Sequence, residues 1–301
     1  MKRIYIAGSG GMLGEAFHDI FGRDCELKCT DIDVNAPWLS YLDIRDLEAY
    51  RKDVASFRPD TLFHLGACTD MEYCERNPEN AWLTNALAVE NAAYIANELD
   101  IPLLYISTAG IFDGPKQVFD DWDAPNPRSC YARSKHAGEV FVREHVARHL
   151  VCRAGWMMGG GPARDKKFVQ KIMRQLSEGA TELRIVNDKY GSPTYTRDFA
   201  ENVKILLDRE YWGVYNMACD GLASRLEVAR AMLELRGLAN QVRIIEVPSS
   251  HFSEEYFAER PASEALVNAK LELRRINRMR PWKVALKACL EDYYAAPGQG
   301  A

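Results

Sequence analysis

Gly8, Gly11 and Gly14 stand in G-x-x-G-x-x-G spacing directly after the short apolar run Arg3–Ala7, at the opening of an amphipathic stretch, Leu13–Phe21. Few folds accommodate a strand that passes through such a turn straight into a helix. The first glycine permits a tight turn, the second lets backbone approach a bound diphosphate, and the third allows helix to pack closely on strand. A diphosphate there meets a helix N-terminus, whose free N–H groups and dipole favour negative charge. Met12 and Leu13 belong to the same turn. Asp31 ends the next strand-like run. A carboxylate in that place accepts both ribose hydroxyls of NAD and repels the 2′-phosphate of NADP, so NAD(H) is the favoured cofactor and NADP(H) the alternative. Asp43 and Ile44, one connection further on, are expected to border the adenine.

The rest of the first half agrees with the turn. Short runs rich in β-branched residues (Arg3–Ala7, Cys25–Thr30, Thr61–Leu65, Leu103–Ser107, His149–Arg153) alternate with helical patterns at Leu13–Phe21, Leu47–Phe57, Asn80–Leu99 and Ala132–Arg148. Such alternation predicts βαβ units, hence an α/β, Rossmann-like doubly wound parallel sheet over residues 1–155. Residues 156–301 read as a smaller mixed α/β substrate-binding part, some of whose segments return to the first. There WMMGGGPARDKK is expected as a loop, and helices at Phe168–Leu176, Arg197–Leu207, Arg225–Leu235 and Trp282–Tyr293. Strand-like runs lie at Leu183–Val186, Val214–Ala218 and Val242–Val247, and the tail AAPGQGA is expected to fray.

Composition removes several functional classes. With 38 Lys+Arg against 43 Asp+Glu, the net charge of -5 argues against a dedicated nucleic-acid binder. No apolar run is long enough to span a membrane, and the N-terminus lacks a signal-peptide core, so the expected location is the cytoplasm. Eight cysteines form no C-x-x-C pair and are expected as reduced thiols; no metal site is expected. The basic run Arg274–Lys283 reads as a solvated face, His64 as a core histidine, and Trp122 and Trp282 as packing residues.

Tyr131 and Lys135 are the one Y-x-x-x-K pair among 14 tyrosines, at the start of a predicted helix and after a predicted strand ending Ser107-Thr108. Residues four apart share a helix face. A phenol is a poor acid–base catalyst at neutral pH, but a neighbouring ammonium and a cationic nicotinamide favour its phenolate. Thr108 is placed to hydrogen-bond a carbonyl that accepts hydride.

Taken together, GSGGMLG, Asp31, Asp43-Ile44, HLGACTD, the serine–threonine strand end and YARSK resemble the extended short-chain dehydrogenase/reductases. STAGIFDG, DDWDAPNP, DKYGSPTYTRDFA and RPASEALVNAKL narrow the resemblance to the dTDP-4-dehydrorhamnose reductase family over nearly the whole chain. The resemblance implies NAD(P)H-dependent reduction of the C4 ketone of a nucleotide-diphosphate 4-keto-6-deoxy sugar, by a homodimer. It makes Thr108, Tyr131 and Lys135 catalytic. It lines the cofactor with Leu65, Gly66, Ala67 and Asn85, and the substrate with Thr69, Trp156, Phe168 and Arg260. An alternative for Arg260 is a loop salt bridge.

The chain also departs from the family. Where members read S-T-D-Y-V-F-D-G, it reads Ser107-Thr108-Ala109-Gly110-Ile111-Phe112-Asp113-Gly114. Losing the acid and the tyrosine is expected to enlarge the site and remove polar contacts. Alternatives to the reductase are a nucleotide-sugar epimerase and a non-catalytic regulator that keeps the fold, as the regulatory β subunit of methionine adenosyltransferase does. A 4,6-dehydratase is disfavoured because that chemistry needs an acid pair beside the threonine.

Overall fold

The computed structural model describes residues 1–294, so the tail 295–301 lies outside the described residues. Its first half runs β1 (Lys2–Ala7), α1 (Met12–Phe21), β2 (Cys25–Asp31), β3 (Leu39–Tyr41), α2 (Leu47–Phe57) and β4 (Thr61–His64). There follow α3 (Met71–Arg76), α4 (Pro78–Trp82), a π-helical turn (Leu83–Leu87), α5 (Ala88–Glu98) and β5 (Leu103–Thr108). The short β6 (Val118–Phe119), α6 (Cys130–His145) and β7 (His149–Ala154) complete it. The second half is made of shorter pieces. These are β8 (Trp156–Met158), α7 (Gly161–Arg164), α8 (Phe168–Ser177), β9 (Glu182–Val186), β10 (Tyr190–Gly191), β11 (Pro193–Tyr195) and α9 (Thr196–Asp208). Then come β12 (Gly213–Met217), β13 (Ala223–Ser224), α10 (Arg225–Leu235), β14 (Arg243–Val247), β15 (Ser263–Leu266), α11 (Ala269–Leu273) and α12 (Trp282–Tyr294).

Seven strands form one parallel sheet in the order β12-β7-β5-β4-β1-β2-β3. The order reverses between β1 and β4, and a ligand crevice opens at the carboxyl ends beside such a reversal. Both faces are covered. Along β1, Ile4 and Ile6 point into one apolar layer with Phe17, Phe199 and Ala285, while Tyr5 and Ala7 point into another with Val54, Ala92 and Val142. This is the period-two alternation of a strand buried on both sides. A four-stranded sheet, β13-β10-β15-β6, stands apart from the seven. Two late segments join the large sheet: β12 is its edge strand, and α9 packs on α1 through Phe199 and Phe17, rings 6.5 Å apart.

Several local differences from the sequence expectations have identifiable causes. WMMGGGPARDKK is not all loop: Trp156–Met158 pairs with Pro193–Tyr195, and Gly161–Arg164 forms a single helical turn. Helix α6 begins two residues before Ala132 because the Ser129 side chain accepts the Ala132 N–H as its cap, and it ends at His145, where Val146 turns extended. The long alanine-rich helix begins at Pro78 and carries a π turn that holds the buried Asn85. Strand β3 and helix α3 are too short to leave a periodic signal. Trp282 is buried as expected, whereas Trp122 is exposed. All eight cysteines are free thiols, six of them buried. No helix among the described residues is long and apolar enough to cross a membrane, and among them no cluster of His, Cys, Asp and Glu is placed to hold a metal.

Candidate active site

The glycine turn separates constraints imposed by the protein from one that is not. Gly8 has a φ of +81°, and a Cβ built on it would stand 2.1 Å from the Gly66 nitrogen, so β1 and the end of β4 require its bareness. A Cβ on Gly14 would stand 2.1 Å from the Ser9 carbonyl oxygen, which fixes the helix against the turn. Around Gly11, its chain neighbours aside, no atom of the described residues comes within 4 Å of a built Cβ. Gly11 is also the N-cap of α1 and offers no side-chain cap, so the N–H groups at Met12 and Leu13 have no acceptor from a capping side chain. A nicotinamide dinucleotide's diphosphate fits this cradle.

Asp31, at the end of β2, uses one carboxylate oxygen to accept the Gly10 N–H (2.8 Å) and the other to accept the Asp33 N–H (2.9 Å). Asp43 pairs with Arg45 (2.6 Å), whose hydrogen bonds hold its carboxyl below the usual range. The Ile44 side chain packs over Gly66, its Cδ1 2.5 Å from a built Cβ. Leu65 extends β4 by donating its N–H to the Ala7 carbonyl (2.8 Å), which carries Gly66 and the half-buried Ala67 to the edge of the crevice. Asn85 is wholly occupied within the protein: Oδ1 accepts the Cys68 N–H (2.8 Å), and Nδ2 donates to the Cys68 carbonyl (3.0 Å) and to Ser134 Oγ (3.1 Å). It ties the loop after β4 to α6.

Thr108 ends β5, and Tyr131 and Lys135 lie one turn apart at the start of α6. Thr108 Oγ1 accepts the Gly110 N–H (3.1 Å), which leaves its own proton free to donate. Burial pushes the Tyr131 phenol up, and the adjacent Thr108 hydroxyl pulls the other way. In the protein alone, burial thus outweighs the expected bias toward phenolate. Burial likewise pushes Lys135 down to about 7, against the opposing charge of Glu139. Its Nζ stands 4.2 Å over the Tyr105 ring, and no acceptor among the described residues bonds it. Beneath the site Glu139 is fully buried, paired with Arg153 (2.6 Å) and accepting the Ser107 hydroxyl (2.6 Å), so β5, α6 and β7 are locked together.

Trp156 begins β8. Its Nε1–H donates to Glu264 Oε2 at 2.6 Å, and the Arg225 guanidinium lies 3.5 Å over its ring and 4.9 Å from that of Phe168. Thr69 is exposed and takes the Lys167 ammonium on both its carbonyl and its hydroxyl, each at 3.1 Å. Arg260 pairs with Glu72 (2.7 Å), the salt-bridge alternative raised above, and so pins the RPAS loop onto α3. Sequence reasoning passed over Glu264 and Arg225. Glu264 lay inside the quoted RPASEAL segment, and Arg225 opens a helix whose Ser224–Glu227 capping box was visible in the sequence.

Ala109 and Gly110 differ in what surrounds them. Ala109 faces a small apolar cluster with Ile111, Phe112 and Leu266, so it lines core rather than cleft. At Gly110, Glu264 Oε1 stands 3.2 Å and Thr108 Oγ1 3.4 Å from where a Cβ would be, so a carboxylate from another strand borders the bare position.

The family described as the RmlD substrate binding domain matches residues 1–295. The chain is 30% identical to the spore coat polysaccharide biosynthesis protein SpsK of Bacillus subtilis, covering 98% of this chain and 99% of that protein. It is 31% identical to the dTDP-4-dehydrorhamnose reductase of Mycobacterium tuberculosis, over 96% of this chain and 92% of the other. The crystal structure of dTDP-4-dehydrorhamnose reductase from Bacillus anthracis in complex with NADP superposes with a TM-score of 0.86 at 25% identity, covering 97% and 99% of the two chains. With the turn, the reversed strand order and the threonine–tyrosine–lysine constellation in one crevice, the chain belongs to the RmlD family of extended short-chain dehydrogenases/reductases.

Proposed function

We propose that this protein is an NAD(P)H-dependent oxidoreductase that reduces the C4 ketone of a nucleotide-diphosphate 4-keto-6-deoxy sugar. The observation that carries the reading is the convergence of Thr108, Tyr131 and Lys135 at the carboxyl edge of the sheet, beside the glycine turn. Gly8, Gly11, Met12, Leu13 and Gly14 would hold the diphosphate, Asp31 the adenine-side ribose, and Asp43, Ile44, Leu65, Gly66 and Ala67 the rest of the groove. Reduced nicotinamide, when bound, supplies a hydride.

The chain's own part is positional and electrostatic. Thr108 donates its hydroxyl proton as a hydrogen bond to the carbonyl oxygen. Tyr131, whose phenol burial keeps protonated, gives its proton to that same oxygen as it gains negative charge. Lys135 binds the nicotinamide-side ribose, whose hydroxyls supply the acceptors it needs to carry charge in a buried place. Fixed donors aimed at a developing alkoxide are the largest part of such catalysis. Asn85 acts through Cys68 and Ser134, by holding the loop and the helix in register.

We assign NADH as the preferred donor on the strength of Asp31, and a homodimer on the strength of an exposed apolar stripe, Leu83, Leu87 and Tyr94, along the π turn and α5. Incubation with NADH and a panel of nucleotide-linked 4-keto-6-deoxy sugars, followed by NMR of the products, tests the reaction. One 4-hydroxy product per NADH consumed is expected. An isomer formed without net redox would replace the reductase with the epimerase.

A further inference from the structure

Glu264 is the one acidic side chain of β15, and two contacts hold it. Its backbone pairs in register with Gly191 of β10. Its Oε2 accepts the Trp156 indole proton at 2.6 Å. That indole is itself immobilised: a Cβ on Gly191 would stand 2.3 Å from the ring, and the Arg225 guanidinium covers it at 3.5 Å. The second oxygen, Oε1, is aimed elsewhere. A point 3.2 Å from Oε1 lies 3.4 Å from Thr108 Oγ1, and that point is where Gly110 lacks a side chain. Any other residue at position 110 would come between carboxylate and threonine. Oε1 accepts no hydrogen bond among the described residues, and Glu264 has no ion-pair partner within 4 Å among them. Its negative charge is nevertheless felt at Tyr131.

A half-buried carboxylate oxygen beside a polar site is stabilised by a donor brought by the ligand. We propose that Glu264 is a specificity-determining residue that accepts a hydrogen bond from the hydroxyl on the sugar carbon next to the ketone held by Thr108 and Tyr131. The inference rests on the C4-reduction reading given above. In a 4-keto-6-deoxy sugar C5 bears the methyl group, so the hydroxyl that Glu264 reads is the one on C3. Oxygens on adjacent ring carbons are close enough to engage the Thr108 hydroxyl and Glu264 Oε1 together. The glycine at 110 and the acid at 264 act together: bareness in the turn after β5 admits the carboxylate from the other sheet.

The test is binding of a dTDP-linked 6-deoxyhexose and its 3-deoxy counterpart, by calorimetry, to the wild type, Glu264→Gln and Glu264→Ser. A hydrogen bond to a charged group is worth about 1.5–3 kcal/mol, so the wild type is expected to bind the 3-hydroxy sugar at least about tenfold more tightly. In both variants the preference should shrink, to that of a neutral hydrogen bond in Glu264→Gln and to about twofold or less in Glu264→Ser, whose side chain is too short to reach the sugar. In Glu264→Gln the indole proton claims the amide oxygen and leaves an NH2 facing the sugar hydroxyl. Far-UV circular dichroism and NADH affinity report whether the variants are folded. Equal affinity for the two sugars in the wild type, or an undiminished preference in Glu264→Gln, overturns the assignment. A wild type that binds neither overturns the nucleotide-sugar reading as well. A retained 3-hydroxyl preference without turnover would leave Glu264 in its role and remove the reductase alone.

Discussion

Asp31 does two things with one carboxylate. It closes the glycine turn by accepting the Gly10 and Asp33 N–H groups, and under the proposed function its charge also selects the cofactor's ribose. A 2′-phosphate there would meet Asp31 with Asp33 immediately beside it. Replacing Asp31 with Asn keeps an acceptor for one N–H and removes the charge. NADH affinity is expected to fall about tenfold, the worth of a charged hydrogen bond, while NADPH affinity holds or improves. Fluorescence titration of both cofactors checks this; equal losses would show that Asp31 acts only on the turn. Lys135 illustrates the opposite balance. Its ammonium is costly to bury, so it is held down to about 7 until a ligand supplies acceptors.

Strand β4 carries the clearest electrostatic consequence at the level of an element. His64 is fully buried; Tyr50 Oη lies 3.3 Å from its Nδ1, and its Nε2 has no partner among the described residues. Burial, seconded by the Lys135 charge, pushes it down to about 3. Above pH 6.5 the ring is neutral whether the chain is folded or not. Below that pH the unfolded chain binds a proton that the native ring refuses, so stability is lost as pH falls toward 3. Chemical denaturation of the wild type and His64→Phe at pH 7 and pH 5 should show the wild type losing about 2 kcal/mol more on acidification. Identical losses would contradict the burial argument.

Elements were readable in the sequence in proportion to their length and periodicity. α1 and α6 have 10 and 16 residues and β1 and β5 six each, enough for a pattern to register, and the turn between β1 and α1 is chemically specific. β3 has three residues and α3 six, which is too little for a period to register. Tyr131, Lys135 and Thr108 could be named because helix spacing and a strand end place them locally. Glu264 could not, because only the pairing of β15 with β10 and β6 brings it to Thr108. Linear spacing holds no trace of that approach.

For the molecule as a whole, side chains from the second half close over the first. Lys167 reaches Thr69, Arg260 reaches Glu72, Arg164 reaches Glu15 (3.3 Å) and Arg197 reaches Asp19 (3.3 Å). The two parts of the chain are therefore tied together by side-chain contacts, and Glu264, bonded to Trp156, comes close to Thr108. On the outer surface Leu83, Leu87 and Tyr94 are 38%, 47% and 45% exposed, an apolar face suited to a second copy of the chain. Sedimentation should give a dimer for the wild type, and Leu87→Glu should shift it to monomer; a monomeric wild type would contradict the assigned assembly. Most direct of all is the rate at which reduced nicotinamide is consumed with a nucleotide-linked 4-keto-6-deoxy sugar by the wild type and by Tyr131→Phe. If Tyr131 is the proton donor, kcat falls about 10²–10⁴-fold in the variant while NADH still binds. Turnover that survives the loss of that hydroxyl would contradict the account at its centre.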